Sequence, residues 1–215
     1  MNRSARRGAQ AAMLAMLGVL AARPMACAAA NAPIPASARA LAAKLGGGHR
    51  AEADVAYALP DPLGGPARSI RGRLALESPD RVRLDFATTG ESVTLRADGG
   101  EWLQPANRQL VRIPADRALA VLSWGRTLLP TSGASFREDS LAPRRFRLTP
   151  LAAEAQGMEV LVELDAHGLP RQLTVLAPDS SRTAYHLSNW RFVAARGRTA
   201  YALSAPPGFD VVDLP

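Results

Sequence analysis

A mainly β fold with a minor helical part, built from about ten or eleven antiparallel strands, is predicted by three observations. From Arg71 onward polar and apolar residues alternate almost without a break, as in Arg81-Val82-Arg83-Leu84-Asp85-Phe86. That period of two makes a sheet with one wet face and one apolar face. The 17 Gly and 17 Pro fall mostly between the alternating runs, where they punctuate turns. Only two segments break the alternation with helical spacing. A sheet this large must curl to bury its apolar face, and the helices are natural covers for the opening.

Met1 to Ala30 reads as a secretory signal peptide. Arg3, Arg6 and Arg7 form a positive start, Ala11 to Ala22 is the apolar stretch, and small residues around Cys27 and Ala30 offer A-x-A cleavage sites. Arg23 and Pro24 interrupt the apolar run short of the roughly 20 residues that span a bilayer. The mature chain, 31–215, is therefore expected to be a soluble single domain outside the cytoplasm. Cys27 is the sole cysteine, so no intramolecular disulfide forms and folding relies on the core. A lipoprotein signal would place acylated Cys27 at the new N-terminus, but the residue three before it is Pro24 rather than the usual Leu.

The formal charge of +7 overstates any pull toward acidic partners. Without residues 1–30 there remain 22 basic and 19 acidic side chains, a net of +3. Lys44 is the only lysine, and the arginines are scattered singly along strands. A nucleic-acid binder needs a basic cluster on one element, often with stacking aromatics, so nucleic acid is not an expected partner.

Along the mature chain, Ala36 to Leu45 is a short helix, with Leu41 and Leu45 on one face and Gly46-Gly47-Gly48 as its stop. A first strand runs from His49 to Leu59, and Asp61 to Pro66 is a loop. Strands follow at Ser69–Glu77, Arg81–Ala87, Ser92–Ala97, Glu101–Gln104 and Arg108–Ile113, with a hairpin signal at Asp98-Gly99. Ala115 to Leu129 reads as a second helix that Pro130 ends. Strands resume at Ala134–Glu138, Arg144–Leu148, Met158–Leu164, Gln172–Leu176, Arg182–Phe192 and Thr199–Leu203.

Candidates for chemistry are thin. His49, His167 and His186 sit in unrelated settings, and no H-x-x-x-H pair, acidic cluster or C-x-x-C suggests a metal. Ser132-Gly133 lacks a nucleophile-elbow context, and Asp98-Gly99-Gly100 reads as a hairpin turn rather than a phosphate loop. No enzyme, cofactor or metal is expected. The apolar Val82, Leu84, Phe86, Trp102, Trp124 and Trp190 either line a ligand cavity or form ordinary core, and for any single one core is the default.

Gly72-x-Leu74, Ser78-Pro79-Asp80-Arg81-Val82-Arg83-Leu84 and Asp98-Gly99 followed by Trp102 stand in order in the N-terminal half of the mature chain, and Phe146-Arg147-Leu148-Thr149-Pro150, Asp165 to Leu173 and Pro207 to Val212 in its C-terminal half. In that order they resemble the motifs of the LolA family, periplasmic carriers of outer-membrane lipoproteins. The resemblance implies an open, incomplete β-barrel with helices closing its mouth over a hydrophobic cavity. It also implies acylated lipoprotein or lipid cargo, a monomer in the periplasm, an inner-membrane ABC-type exporter as donor and an outer-membrane acceptor. On this footing Val82, Leu84, Phe86, Trp102, Leu122 and Trp124 are the expected cavity or lid residues. Acyl chains cost about 0.8 kcal/mol per exposed CH₂ in water, which is why their transit needs a shield.

The chain departs from the family at Ser78, where the family has an Arg that helps hold the lid, and at Val82 and Leu84, where it has Phe and Trp. Arg81 and Arg83 are kept, but the lid lock is either absent or rebuilt elsewhere. Three rivals stand beside the carrier: the same fold holding another lipid or glycolipid, a LolB-like membrane-anchored acceptor if Cys27 is acylated, and an enzyme on this scaffold.

Overall fold

The computed structural model describes residues 34–59, 66–77, 80–115, 127–128, 136–151 and 157–214. The chain enters through a 3-10 turn, Ala36–Ala38, that leads into helix α1, Arg39–Leu45. Six strands follow: β1 His49–Leu59, β2 Arg68–Glu77, β3 Arg81–Phe86, β4 Ser92–Arg96, β5 Gly99–Gln104 and β6 Gln109–Ile113. Then come β7 Phe136–Ala142, β8 Arg145–Pro150, β9 Glu159–Leu164, β10 Pro170–Leu176, β11 Arg182–Ala194 and β12 Asp210–Asp213.

All twelve form one open sheet in the order β12-β6-β5-β4-β3-β2-β1-β11-β10-β9-β8-β7. It consists of two antiparallel meanders, β1 to β6 and β7 to β11, sewn together by the long β1–β11 ladder. A bulge interrupts that ladder between Glu52 and Asp54, opposite Asn189, which adopts a positive φ of 54°. Bulges sharpen local twist and bend, so the sheet is bent where its halves meet.

The alternation in sequence becomes alternation of faces. Register places Leu74, Leu84, Val93, Trp102 and Val111 in one row across β2 to β6. On the other half Tyr185, Leu173, Val162 and Phe146 continue an apolar row across β11 to β8. This inner face is the core. Burying a side chain such as Leu84 or Val82 there contributes about 1.5–3 kcal/mol, and both are fully buried.

Helix α1 packs Leu41 and Leu45 into the same cluster and leaves Arg39 and Lys44 in solvent. The helix is only two turns long, too short to be stable by propensity alone, so its order comes from tertiary contacts. The Glu138 carboxylate of β7 supplies the main polar one. It accepts the backbone amides of Ala36 at 2.8 Å and Ser37 at 3.0 Å, and the Ser37 hydroxyl as well. Lys44 adds a cation–π contact, its Nζ lying 5.9 Å from the Phe192 ring centre.

The outer face is polar and differs between halves. Over β8 to β10 it is a lattice of exposed ion pairs, including Arg145–Glu163, Arg147–Glu159 and Arg171–Glu163. Over β2 to β5 it is crossed by the chain after β11. There a 3-10 turn, Arg198–Tyr201, stands where sequence alternation predicts a strand at 199–203. Glu77 accepts the amides of Arg196 at 2.8 Å and Gly197 at 3.1 Å, Arg83 donates to the Ala200 carbonyl at 2.9 Å, and Arg96 donates to the Tyr201 carbonyl. These anchors override the local pattern and hold the segment on the wet face.

The strap ends in β12, which joins β6 in parallel through Val211 beside Leu110 and Val212 beside Val111. Its four residues are too few to show a period, so sequence alternation passes over β12 and offers 199–203 in its stead. The predicted helix Ala115–Leu129 lies outside the described residues apart from Ala115, Thr127 and Leu128, and Ser78 lies outside them altogether.

Candidate functional site

The sequence-derived candidates come together on the inner face as far as they are described. Val82 and Leu84 lie side by side with Leu76 and Leu74. Phe86 stands opposite Gly72, and Trp102 opposite Val93 and Val111. All four are buried, Phe86 and Trp102 retaining 6% and 5% exposure at the margin of the patch. Leu122 and Trp124 lie outside the described residues. Trp190 is half-buried and is held as a framework residue, its indole donating to the Pro170 carbonyl at 2.8 Å.

The margin near Phe86 carries groups that alternation did not single out. Tyr57 sits between Phe86 and Tyr185, with ring centres 6.2 Å and 5.1 Å away. The edge-on Tyr57–Phe86 arrangement is possible because Gly72 lies between their strands. A Cβ at Gly72 would come within 2.5 Å of the Asp85 carbonyl oxygen and 3.2 Å of the Phe86 ring. Glycine here is a requirement of close approach.

Glu91, just before β4, turns a carboxylate into this margin. The Trp102 indole N–H donates to its Oε2 at 3.2 Å. Burial pushes the Glu91 carboxyl above the ordinary range, and the Trp102 hydrogen bond offsets only part of that. Burial also raises the Tyr57 phenol, and the Glu91 charge adds to the rise. A depression of about 450 Å³ lies on the outer side of the sheet here, bordered by Asp54, Arg71, Arg73, Asp85 and Ser92 together with Gly72, Phe86, Gly90 and Glu91. A strand-period reading misses Glu91 because it belongs to a turn; only its spacing two before Val93 hinted at the inner side.

The retained arginines serve the outer face instead of a lid. Arg81 pairs with Glu77, and Arg83 binds Asp85 at 2.9 Å as well as the Ala200 carbonyl. The clasp on the segment that leads into the cover helix is Glu138, a residue of opposite charge on the edge strand β7.

Other motifs prove local in role. In the β9–β10 turn, Asp165 Oδ1 accepts the amides of His167 at 2.8 Å and Leu169 at 2.9 Å, and Gly168 has φ of 78°. The β4–β5 hairpin turns at Ala97-Asp98, since Arg96 pairs with Gly99. His49, His167 and His186 are exposed on separate elements. Among the described residues no group of three or more His, Cys, Asp or Glu is placed to hold a metal. No described helix is long and apolar enough to cross a membrane.

No protein-family model matches the chain, and no curated protein does. Among solved structures, it is similar to an uncharacterized conserved protein from Thermus thermophilus, at 12% identity and a TM-score of 0.47 over 83% of this chain and 99% of that one. It is also similar to a LolA superfamily protein from Nitrosomonas europaea, at 9% identity and 0.44 over 77% and 97%. A putative outer membrane lipoprotein-sorting protein domain from Vibrio parahaemolyticus follows at 12% identity and 0.46 over 80% and 97%.

Proposed function

We propose that this protein is an exported carrier that shields acyl chains, those of lipoproteins in the first instance, against the inner face of its sheet. The observation that carries the reading is the continuous apolar row from Val111 through Trp102, Val93 and Leu84 to Leu74, on a sheet whose edges do not close. Apolar chains bind such a surface without precisely placed polar groups, because the driving force scales with the area removed from water. The cover helix, held by a polar clasp, can leave and return without breaking the sheet.

On this reading Val82, Leu84, Phe86, Trp102, Leu122 and Trp124 line the cavity or its lid, with Phe86 and Trp102 nearest the entrance. With Met1–Ala30 read as a secretory signal, the carrier would work in the periplasm, between an inner-membrane ABC-type exporter and an outer-membrane acceptor. No catalytic step is assigned.

The test is native mass spectrometry with lipid analysis of protein purified from its own periplasm without detergent. Co-purifying acylated lipoprotein, diminished in Phe86→Ala, is the expected result. A free glycolipid would move the cargo to another lipid class. A protein that is empty and takes up no added acylated peptide would overturn the carrier reading. Mass analysis of the mature N-terminus decides whether Cys27 is acylated, as a membrane-anchored acceptor requires.

A further inference from the structure

We propose that the corner formed by the β7–β8 hairpin and the β9–β10 turn docks the protein on an anionic lipid bilayer. Arg144, Arg145 and Arg171 take the headgroup phosphates, and Leu141 enters the boundary beneath them. The docking goes beyond the carrier reading and stands or falls without it, since it concerns the outer face and not the cargo.

A depression of about 340 Å³ lies at this corner, lined by Pro143, Arg144, Arg145, Glu163, Asp165 and Arg171 among others. Its charges are unequally matched. Glu163 holds two arginines, Arg145 Nε at 3.1 Å on one oxygen and Arg171 Nη2 at 3.1 Å on the other, and both arginine side chains stay more than half exposed. Asp165 turns one oxygen to the amides of His167 and Leu169. Arg144 has no ion-pair partner among the described residues. Three arginines against two carboxylates leave the depression net positive, and helix α1 brings Arg39 and Lys44 with no acid. That helix adjoins the corner: a Cβ at Gly168 would stand 3.3 Å from the Ala40 Cβ, and Lys44 lies one helical turn along from Ala40. The neighbouring Arg147–Glu159 and Arg137–Asp139 pairs cancel.

The backbone of the hairpin tip points the same way. Pro143 and Arg144 form the tip between the paired Ala142 and Arg145, and Arg144 has a φ of 63°, where glycine or asparagine is favoured. An arginine is strained there and gains no protein partner in return, and such strain gathers at ligand-holding sites. The Arg144 carbonyl accepts the Leu164 amide at 2.9 Å, so the tip is fixed against β9. Leu141 sits in the bulge beside the tip and is 46% exposed; bulges re-aim side chains. An apolar side chain on a tip collared by arginines suits a lipid boundary, where apolar groups enter and guanidiniums stay with the phosphates. A free phosphate ion would use the arginines and leave Leu141 without a role. Docked here, the protein holds its cover helix beside the bilayer.

The test is co-sedimentation of the exported protein, purified from the periplasm without detergent, with vesicles of phosphatidylcholine alone or mixed in equal parts with phosphatidylglycerol. Wild type is expected to bind the mixed vesicles and to be released as salt rises. Arg144→Gly gives the tip the residue its backbone favours, so the fold is kept, and it should weaken binding about fivefold, the size of one arginine at an anionic surface. Arg171→Gln should do the same, and Leu141→Ser should reduce the binding that survives high salt. Arg71→Gln removes an exposed arginine of β2 and should change nothing. No binding by wild type, an equal loss in Arg71→Gln, or full binding by Arg144→Gly and Arg171→Gln overturns the docking corner. Displacement from the vesicles by inorganic phosphate at constant ionic strength would make the corner a free-phosphate site and overturn the bilayer assignment. Lipid analysis of the same preparation decides the carrier reading separately.

Discussion

The backbone amide of Ser37 donates to the Glu138 carboxylate at 3.0 Å across 101 residues of chain. One side chain on the edge strand β7 thus caps the segment that covers the sheet, satisfying donors that a helix start otherwise leaves open. Glu138→Ala should destabilise the protein by about 0.5–2 kcal/mol, the usual cost of a lost cap. Amides of 36–45 should exchange faster with deuterium while the β3 and β4 amides keep their protection. Equal acceleration across the sheet would show that Glu138 acts on the whole fold and not on the cover.

Glu91 sets an opposite kind of dependence. Burial holds its folded-state pKa above the ordinary glutamate range, so the folded protein binds more protons than the unfolded chain between the two values. Stability then falls as pH rises from the unfolded pKa through the folded one. Glu91→Gln should remove that slope and leave the protein more stable than wild type at neutral pH. Urea midpoints measured from acid to neutral pH check both points.

For Glu101 the sign reverses. Burial pushes its carboxyl up, but the hydrogen bonds from Arg96 and Thr94 outweigh burial and bring it below the ordinary range. Its contribution is complete above the unfolded value and is lost as pH falls through the folded one. Arg96→Gln should flatten this acid limb. The same change cuts an anchor of the outer strap at Tyr201, for a total cost of about 1.5–3 kcal/mol. Hydrogen exchange at 198–202 reports the strap separately from the sheet.

Gly72→Ala brings a Cβ against the Asp85 carbonyl, an atom that cannot swing away as a side-chain tip does. An overpacking cost of about 1–3 kcal/mol is expected, with the Tyr57–Phe86 ring contact disturbed. Thermal unfolding gives the first, and the ring proton shifts of Tyr57 give the second.

The strands with apolar side chains at every second position were legible from sequence because burial on one face enforces a period of two. Val82, Leu84 and Phe86 are placed by that rule alone. The stretch 199–203 also alternates, yet it forms a 3-10 turn because Arg83 and Arg96, over a hundred residues away, supply donors to its carbonyls. Glu138 was invisible for a related reason. Its register position beside Leu148 belongs to the apolar face, and only its partner Ser37 explains a carboxylate there. Long-range polar pairing leaves no periodic trace, and it is what decides the strap, the clasp and the Glu91 margin.

The β1–β11 ladder separates two kinds of folding event. Within either meander, neighbouring strands are also neighbours in sequence, so hairpins close small loops at modest entropic cost. Joining His49 to Ala194 requires a far larger closure, and contacts of that range slow folding. The two halves can therefore zip independently and meet last along a seam that already contains a bulge. In pulse-labelled refolding, protection in β2 to β5 and in β8 to β10 should precede protection in β1, which would make the first strand synthesised among the last to settle.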